Sequence, residues 1–224
     1  MTWIFKATTD GRGGFVELYA VDPDNLSDWS RALPLRGVGV SLAGVYKGKD
    51  AELLLKYVPR HFVTPKRINA FKDLFWVEGK MLVISERFRE IIKAHDPGIH
   101  HIWPIQVMSK KGVAYPDALY GFVPAVHAAA ISETEGDVHI TEPSTAPPTK
   151  LFPQGVHTRR STRLRPSWIA AVHPDKVPSQ NIWWDHGLTR NYLLLSDVLH
   201  DAIVAADLKV IPMKKTTVAR CLRS

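Results

Sequence analysis

Apolar and polar positions alternate most legibly between Leu82 and Met108. Leu82, Val83 and Ile84 form a short apolar run of strand character, Ser85 and Glu86 follow, and Phe88, Ile91 and Ile92 then recur at helical spacing. A serine at the mouth of such a pattern can accept a hydrogen bond from the free amides that open a helix. Glu86 in the first turn suits the positive end of the helix dipole. Asp96-Pro97-Gly98 ends the helix, and Ile102, Trp103, Ile105 and Val107 begin a second apolar run. The pattern predicts strand, capped helix, strand. It returns between Leu193 and Met213, where Ser196, Asp197, Leu199, Ile203 and Asp207 stand in the places of Ser85, Glu86, Phe88, Ile92 and Asp96. Both second strands carry an Ile-x-Pro or Ile-Pro step. Two readings stand side by side: a degenerate internal repeat, or the common look of short β-α-β segments.

The remaining chain is read against these two units. Trp3 to Ala7 and Phe15 to Val21 are strand-like and flank Asp10-Gly11-Arg12-Gly13-Gly14, which predicts a hairpin with a glycine turn. No helix and no GK[ST] follows, so phosphate cradling is disfavoured there. Asp22 to Asp28 is turn material, and Pro34 to Tyr46 is irregular with room for one short strand. Leu53, Leu54 and Leu55 fit a short helix or a strand equally. Ile68, Phe71 and Phe75 space a short helix over Pro65 to Trp76. Lys110-Lys111-Gly112 reads as a turn. Leu119 to Ile131 begins as a strand pairing with the one before it, and Pro124 ends it or holds it at an edge. From about 132 to 166 prolines and carboxylates predict a long surface loop with at most one short strand, Val138 to Ile140. Trp168 to Val172 reads as a further short strand. The expected fold is a mixed α/β domain of the α+β class spanning 1–224, its two strand-helix-strand units packed on a mixed sheet.

Composition narrows the setting. The chain has 224 residues, 45% of them hydrophobic, which suffices for one substantial core or two small ones. One cysteine, Cys221, excludes an internal disulfide framework and fits a reducing compartment. The first residues lack the basic start and apolar core of a secretory signal, and no stretch approaches the roughly 20 apolar residues of a membrane span. A cytoplasmic protein away from the membrane is the expectation. The net charge of +7 admits nucleic acid, an acidic membrane surface or an acidic protein partner, and does not choose among them.

Candidate chemistry is thin. Ten histidines are present, but His100 and His101 are adjacent and would point to opposite sides of a strand. No HExxH and no zinc-like Cys/His spacing occurs, so no metal and no cofactor is expected. Cys221 sits in a basic tail, where no base is held within reach of it, and no GxSxG elbow exists. Ser85 and Ser196 are accounted for as caps. Trp183-Trp184-Asp185-His186 is the most concentrated polar and aromatic cluster, a binding edge or a pocket wall. Alternation along a strand puts one tryptophan inside and leaves the other half-exposed. Arg159, Arg160, Arg163 and Arg165 form the densest basic run, without the interleaved aromatics of a nucleic-acid motif, so a solvated loop is favoured.

The segments LVISERFREII, HDPGIHHIWPIQV and LLLSDVLHDAI, with the apolar Tyr120 to Ile131 stretch between them, resemble a bacterial family of immunity proteins from polymorphic toxin systems, immunity family eleven. They cover about half the chain. The resemblance implies a mixed α/β protein that binds a cognate toxin and blocks it, and it implies no active-site residues. The expected function is therefore non-catalytic neutralisation of a toxin with an acidic contact surface. The basic run would guide the encounter, and Trp183 or Trp184 would anchor it. The alternatives are a basic nucleic-acid-associated module using the arginine run and tail, and an enzyme with a histidine-containing pocket.

Overall fold

A computed structural model describes residues 2–5, 15–16, 18–20, 58–64, 71–77, 81–141, 144–146, 156–158, 161–164, 169–186, 188 and 192–219. The fold is α+β, mostly sheet, with two α-helices among the described residues: α1 (Glu86–His95) and α2 (Asp197–Ala205). A seven-stranded sheet runs in the order β2 (Phe15–Val16), β5 (Leu74–Val77), β6 (Met81–Ser85), β8 (Leu119–Val123), β7 (His101–Ser109), β4 (His61–Thr64), β3 (Tyr19–Ala20). A five-stranded sheet runs β18 (Met213–Lys215), β1 (Thr2–Phe5), β17 (Tyr192–Ser196), β16 (Ile182–Asp185), β9 (His127–Ala128). Strand β6 reads as an unbroken apolar run because it lies inside its sheet with both sides covered, and Met81 to Ile84 are all buried. No helix among the described residues is long and apolar enough to cross a membrane.

The two predicted units are present as β6-α1-β7 and β17-α2-β18, and the topology around them favours the repeat. Five strands of each sheet correspond in order and direction: β2-β5-β6-β8-β7 and β9-β16-β17-β1-β18. The first pair is parallel in both (β2 with β5, β9 with β16) and the other three pairs are antiparallel in both. The registers agree as well. Trp76 faces Leu82 where Trp184 faces Leu193, and Ile84 faces Tyr120 where Leu195 faces Trp3. Trp76 and Trp184, thus equivalent, pack together with ring centroids 5.7 Å apart. The correspondence lapses between each helix and the strand that follows it. Asp96 is buried while Asp207 is exposed at φ 49°, and the Ile-Pro steps do not coincide, since Met213 pairs at the place of Ile102.

Helices and sheets share one large core. Phe88 and Ile92 of α1 and Leu199 and Ile203 of α2 meet Leu82, Ile84, Leu193 and Leu195 in it. The opposite side of the five-stranded sheet, with Ile4, Trp183, Tyr192 and Leu194, forms a second core with Ala130, Ile131, Leu164, Ala170 and Val172. That side is covered by a three-stranded sheet of β10 (Ile131–Gly136), β15 (Ala170–Val172) and β19 (Thr217–Val218).

Three local expectations are revised. The N-terminal hairpin does not form: β1 has β17 on one side and β18 on the other, so neither of its edges remains for Phe15–Val16, which pairs with β5 instead. The glycines of the expected turn lie outside the described residues, as do Leu53 to Leu55. Phe75, expected in a helix, is on β5, where pairing with β6 overrides its local spacing. The excursion from 132 to 166 is strand-paired where it is described. β11 (Val138–Thr141) pairs with β14 (Ser161–Leu164), and β12 (Ser144–Ala146) with β13 (Val156–Thr158), both antiparallel. Two distant segments satisfy each other's backbone groups there, which short-range periodicity cannot reveal.

Candidate partner-binding surface

Strand β16 carries the predicted aromatic cluster. It is flanked by β17 and β9, so it is an interior strand rather than a binding edge. Its alternation sends Trp183 into the second core and Trp184 into the first, 0% and 3% exposed. Neither indole is half-exposed, and neither offers a surface anchor: with a protein layer on each side of the sheet, period-two alternation chooses between two interiors. Asp185 is also fully buried, its Oδ2 accepting from the amides of Ala130 (2.7 Å) and Ile131 (3.2 Å). His186 is exposed, with its ring 6.3 Å from that of half-buried His127. Burial, and then the charge of His186, hold His127 below the usual imidazole range. Among the described residues no three His, Cys, Asp or Glu side chains gather into a group able to hold a metal ion.

Of the basic run, Arg163 lies on β14 opposite His139, a strand position rather than a loop. Arg159, Arg160 and Arg165 lie outside the described residues, as does Cys221. Leu164, next along β14, is buried in the core that holds Trp183, and its amide donates to the Tyr192 hydroxyl at 2.9 Å. The base of the β11–β14 pair therefore rests on the five-stranded sheet.

His100 and His101 have separate environments. His101 opens β7, whereas the His100 side chain is fully buried beside Asp96. His100 Nε2 lies 3.0 Å from Asp96 Oδ2, and the amide of Ala125 donates to His100 Nδ1 at 3.3 Å. Nδ1 accepting and Nε2 donating describe a neutral imidazole, and burial does hold His100 below its ordinary range despite the carboxylate beside it. Asp96 further accepts from the Asn181 amide and side chain and from the Ile182 amide, while Asn181 Nδ2 also donates to the His95 carbonyl at 3.0 Å. Burial raises the Asp96 carboxyl, but these donors outweigh it and the group stays below its ordinary value. The network ties the end of α1 to the start of β16. It reads as a structural lock, since every polar atom in it faces another part of the chain.

Both helices turn their inner sides to the shared core and their outer sides to solvent. On α1 the exposed positions are Arg87, Glu90, Lys93 and Ala94; on α2 they are Val198, Asp201, Val204 and Ala205. Position for position, Val198 stands where Arg87 does and Val204 where Lys93 does. Val198 and Val204 are 58% and 60% exposed. Aligning Ser85 with Ser196 places each valine opposite a basic residue, so the signal was in the sequence, but only the fold shows that both positions point outward.

The family model described as "Immunity protein family (Imm11)" matches residues 45–217. No curated protein matches the chain.

Proposed function

The chain belongs to the immunity protein family Imm11, and from that premise we propose that it binds and neutralises a cognate toxin without catalysis of its own. The observation that carries this reading is the family match, which spans both repeat units and the strands between them. The chemistry of the described residues is in keeping with it: the buried carboxylates Asp96 and Asp185 spend their oxygens on backbone amides and on His100. A group engaged in that way holds the fold together and is poorly placed to move protons on a substrate.

The partner is a toxin with an acidic contact surface, met in the cytoplasm. A +7 chain is drawn to such a surface by its overall field, which raises the encounter rate more than the affinity. Arg159, Arg160, Arg163 and Arg165 are the most concentrated source of that field. With Trp183 and Trp184 buried, the desolvated centre of the contact is formed by other residues. An adjacent toxin gene would supply the test, and its absence would weaken the reading. Co-expressing that gene's product with this chain should restore growth, and the two purified proteins should form a complex. Reversing two of the arginines to glutamate should slow association and flatten its salt dependence. Failure of the wild-type chain to protect cells and to bind would overturn the reading; an unchanged association rate at low salt would remove the arginines from it.

A further inference from the structure

We infer that the outer face of α2 is the contact surface for that toxin, with Val198, Val204 and Ala205 around Asp201 as its centre. This rests on the neutralisation reading above and assigns it a place on the molecule. The repeat supplies an internal control. Both helices bury the same two positions, Phe88 with Ile92 and Leu199 with Ile203, so the fold asks the same of each. A helix that needs only to be soluble carries charge outside, as α1 does with Arg87, Glu90 and Lys93. At the places of Arg87 and Lys93, α2 has valine, a β-branched residue with a lower helix propensity than either. Scattered surface valines are ordinary. Here two of them fall on one nine-residue helix, and with Ala205 they flank Asp201 in a single exposed arc of about 120°.

Charge says what kind of molecule covers this arc. Arg87 reaches across from α1 to donate to the Ala206 carbonyl at the end of α2, and exposed Lys209 follows two residues after the exposed Asp207. At the other end of the helix, exposed Lys215 lies beside Trp3, whose ring stacks on His200. Asp201 sits at the middle and is bonded by His200 Nδ1 at 3.0 Å. A second copy docking here by a two-fold would bring Asp201 against Asp201 and +7 against +7, so self-association is opposed at both the centre and the periphery. A partner with an apolar centre, a hydrogen-bond donor for Asp201 and carboxylates toward Arg87, Lys209 and Lys215 is complementary at each point. An acidic toxin surface is that partner.

The test transplants the outer face of α1 onto α2. The double variant Val198→Arg with Val204→Lys should weaken binding of the neighbouring gene's toxin at least tenfold, chiefly through faster dissociation, and should abolish protection in cells. Its thermal melt should match the wild type, because both positions are exposed and both new residues favour helix. Lys93→Val on α1 should leave binding unchanged. Wild-type affinity in the double variant, beside a wild-type chain that binds, overturns the α2 assignment and leaves neutralisation standing. Absence of binding by the wild-type chain itself overturns both. A wild-type dimer that the double variant converts to monomer with toxin affinity intact would show that the face belongs to a second copy, and would also overturn the assignment.

Discussion

Gly121 shows how narrow the tolerance of the sheet is at one residue. It lies on β8 directly opposite Trp103 of β7, and a Cβ added to it would meet the indole carbons at 2.2 Å. No rotation of a methyl relieves such an overlap, so the indole or the strand pair must move. Gly121→Ala should destabilise the protein by about 1–3 kcal/mol, the usual cost of overpacking. Combining it with Trp103→Val should cost less than the sum of the two single changes, since the collision is then gone. Urea melts of the three variants measure this; a Gly121→Ala protein as stable as wild type would show that the ring moves aside freely. From the sequence Gly121 is only a glycine inside a strand pattern, the sign of a close approach without its partner. Trp183 and Trp184 were equally legible as strand residues, and equally silent about what covers them.

The helices were the most legible elements because their signals are local. Ser85 accepts from the Phe88 amide at 3.2 Å and Ser196 from the Leu199 amide at 3.1 Å, as their positions predict. Each hydroxyl does a second job that the sequence did not disclose: Ser85 donates to Asp73 Oδ1 at 2.6 Å and Ser196 to Asn181 Oδ1 at 2.7 Å. The two acceptors stand just before equivalent strands, β5 and β16. Each then reaches the segment after the other unit's helix. Asp73 Oδ2 accepts from the Lys209 amide at 2.8 Å, and Asn181 bonds His95 and Asp96. Ser85→Ala and Ser196→Ala should each cost about 1–2 kcal/mol, the loss of a cap together with a side-chain bond. Denaturant midpoints that do not move in either variant would remove the serines from the account of helix stability.

At the scale of the whole molecule, the Asp96–His100–Asn181 network couples stability to pH. His100 has its folded pKa below the ordinary 6.5, because burial disfavours its charged form. The unfolded chain therefore takes up a proton near 6.5 that the folded chain refuses. Stability is full above that value and declines as the pH falls from it toward the lower folded value. Asp96, held below its ordinary 3.8, adds a second loss once the pH falls under 3.8 and through its folded value. His100→Gln keeps a donor for Asp96 and removes its own titration, leaving that of His127, which is also held below its ordinary value; it should therefore reduce the first decline and leave the second. Chemical melts at about pH 7.5 and about pH 5.5 decide it, since one proton contributes at most about 1.4 kcal/mol per pH unit. An equal loss in variant and wild type over that interval would place the titrating group elsewhere.

Local chemistry was determined by the sequence alone. It set both capped helices, the turn at Gly112, the end of β8 before Pro124 and the two strand-helix-strand units with their family likeness. Each of these depends on residues within a few positions of one another, where spacing and side-chain type carry the information. Only the tertiary structure decided that β1 lies between β17 and β18 near the chain's other end, that the excursion beyond Gly136 pairs with itself, and that both tryptophans of β16 are interior. It also decided which side of α2 meets solvent. Alternation along a strand separates its two sides but does not say whether one or both are covered, because covering is done by chain far away in sequence.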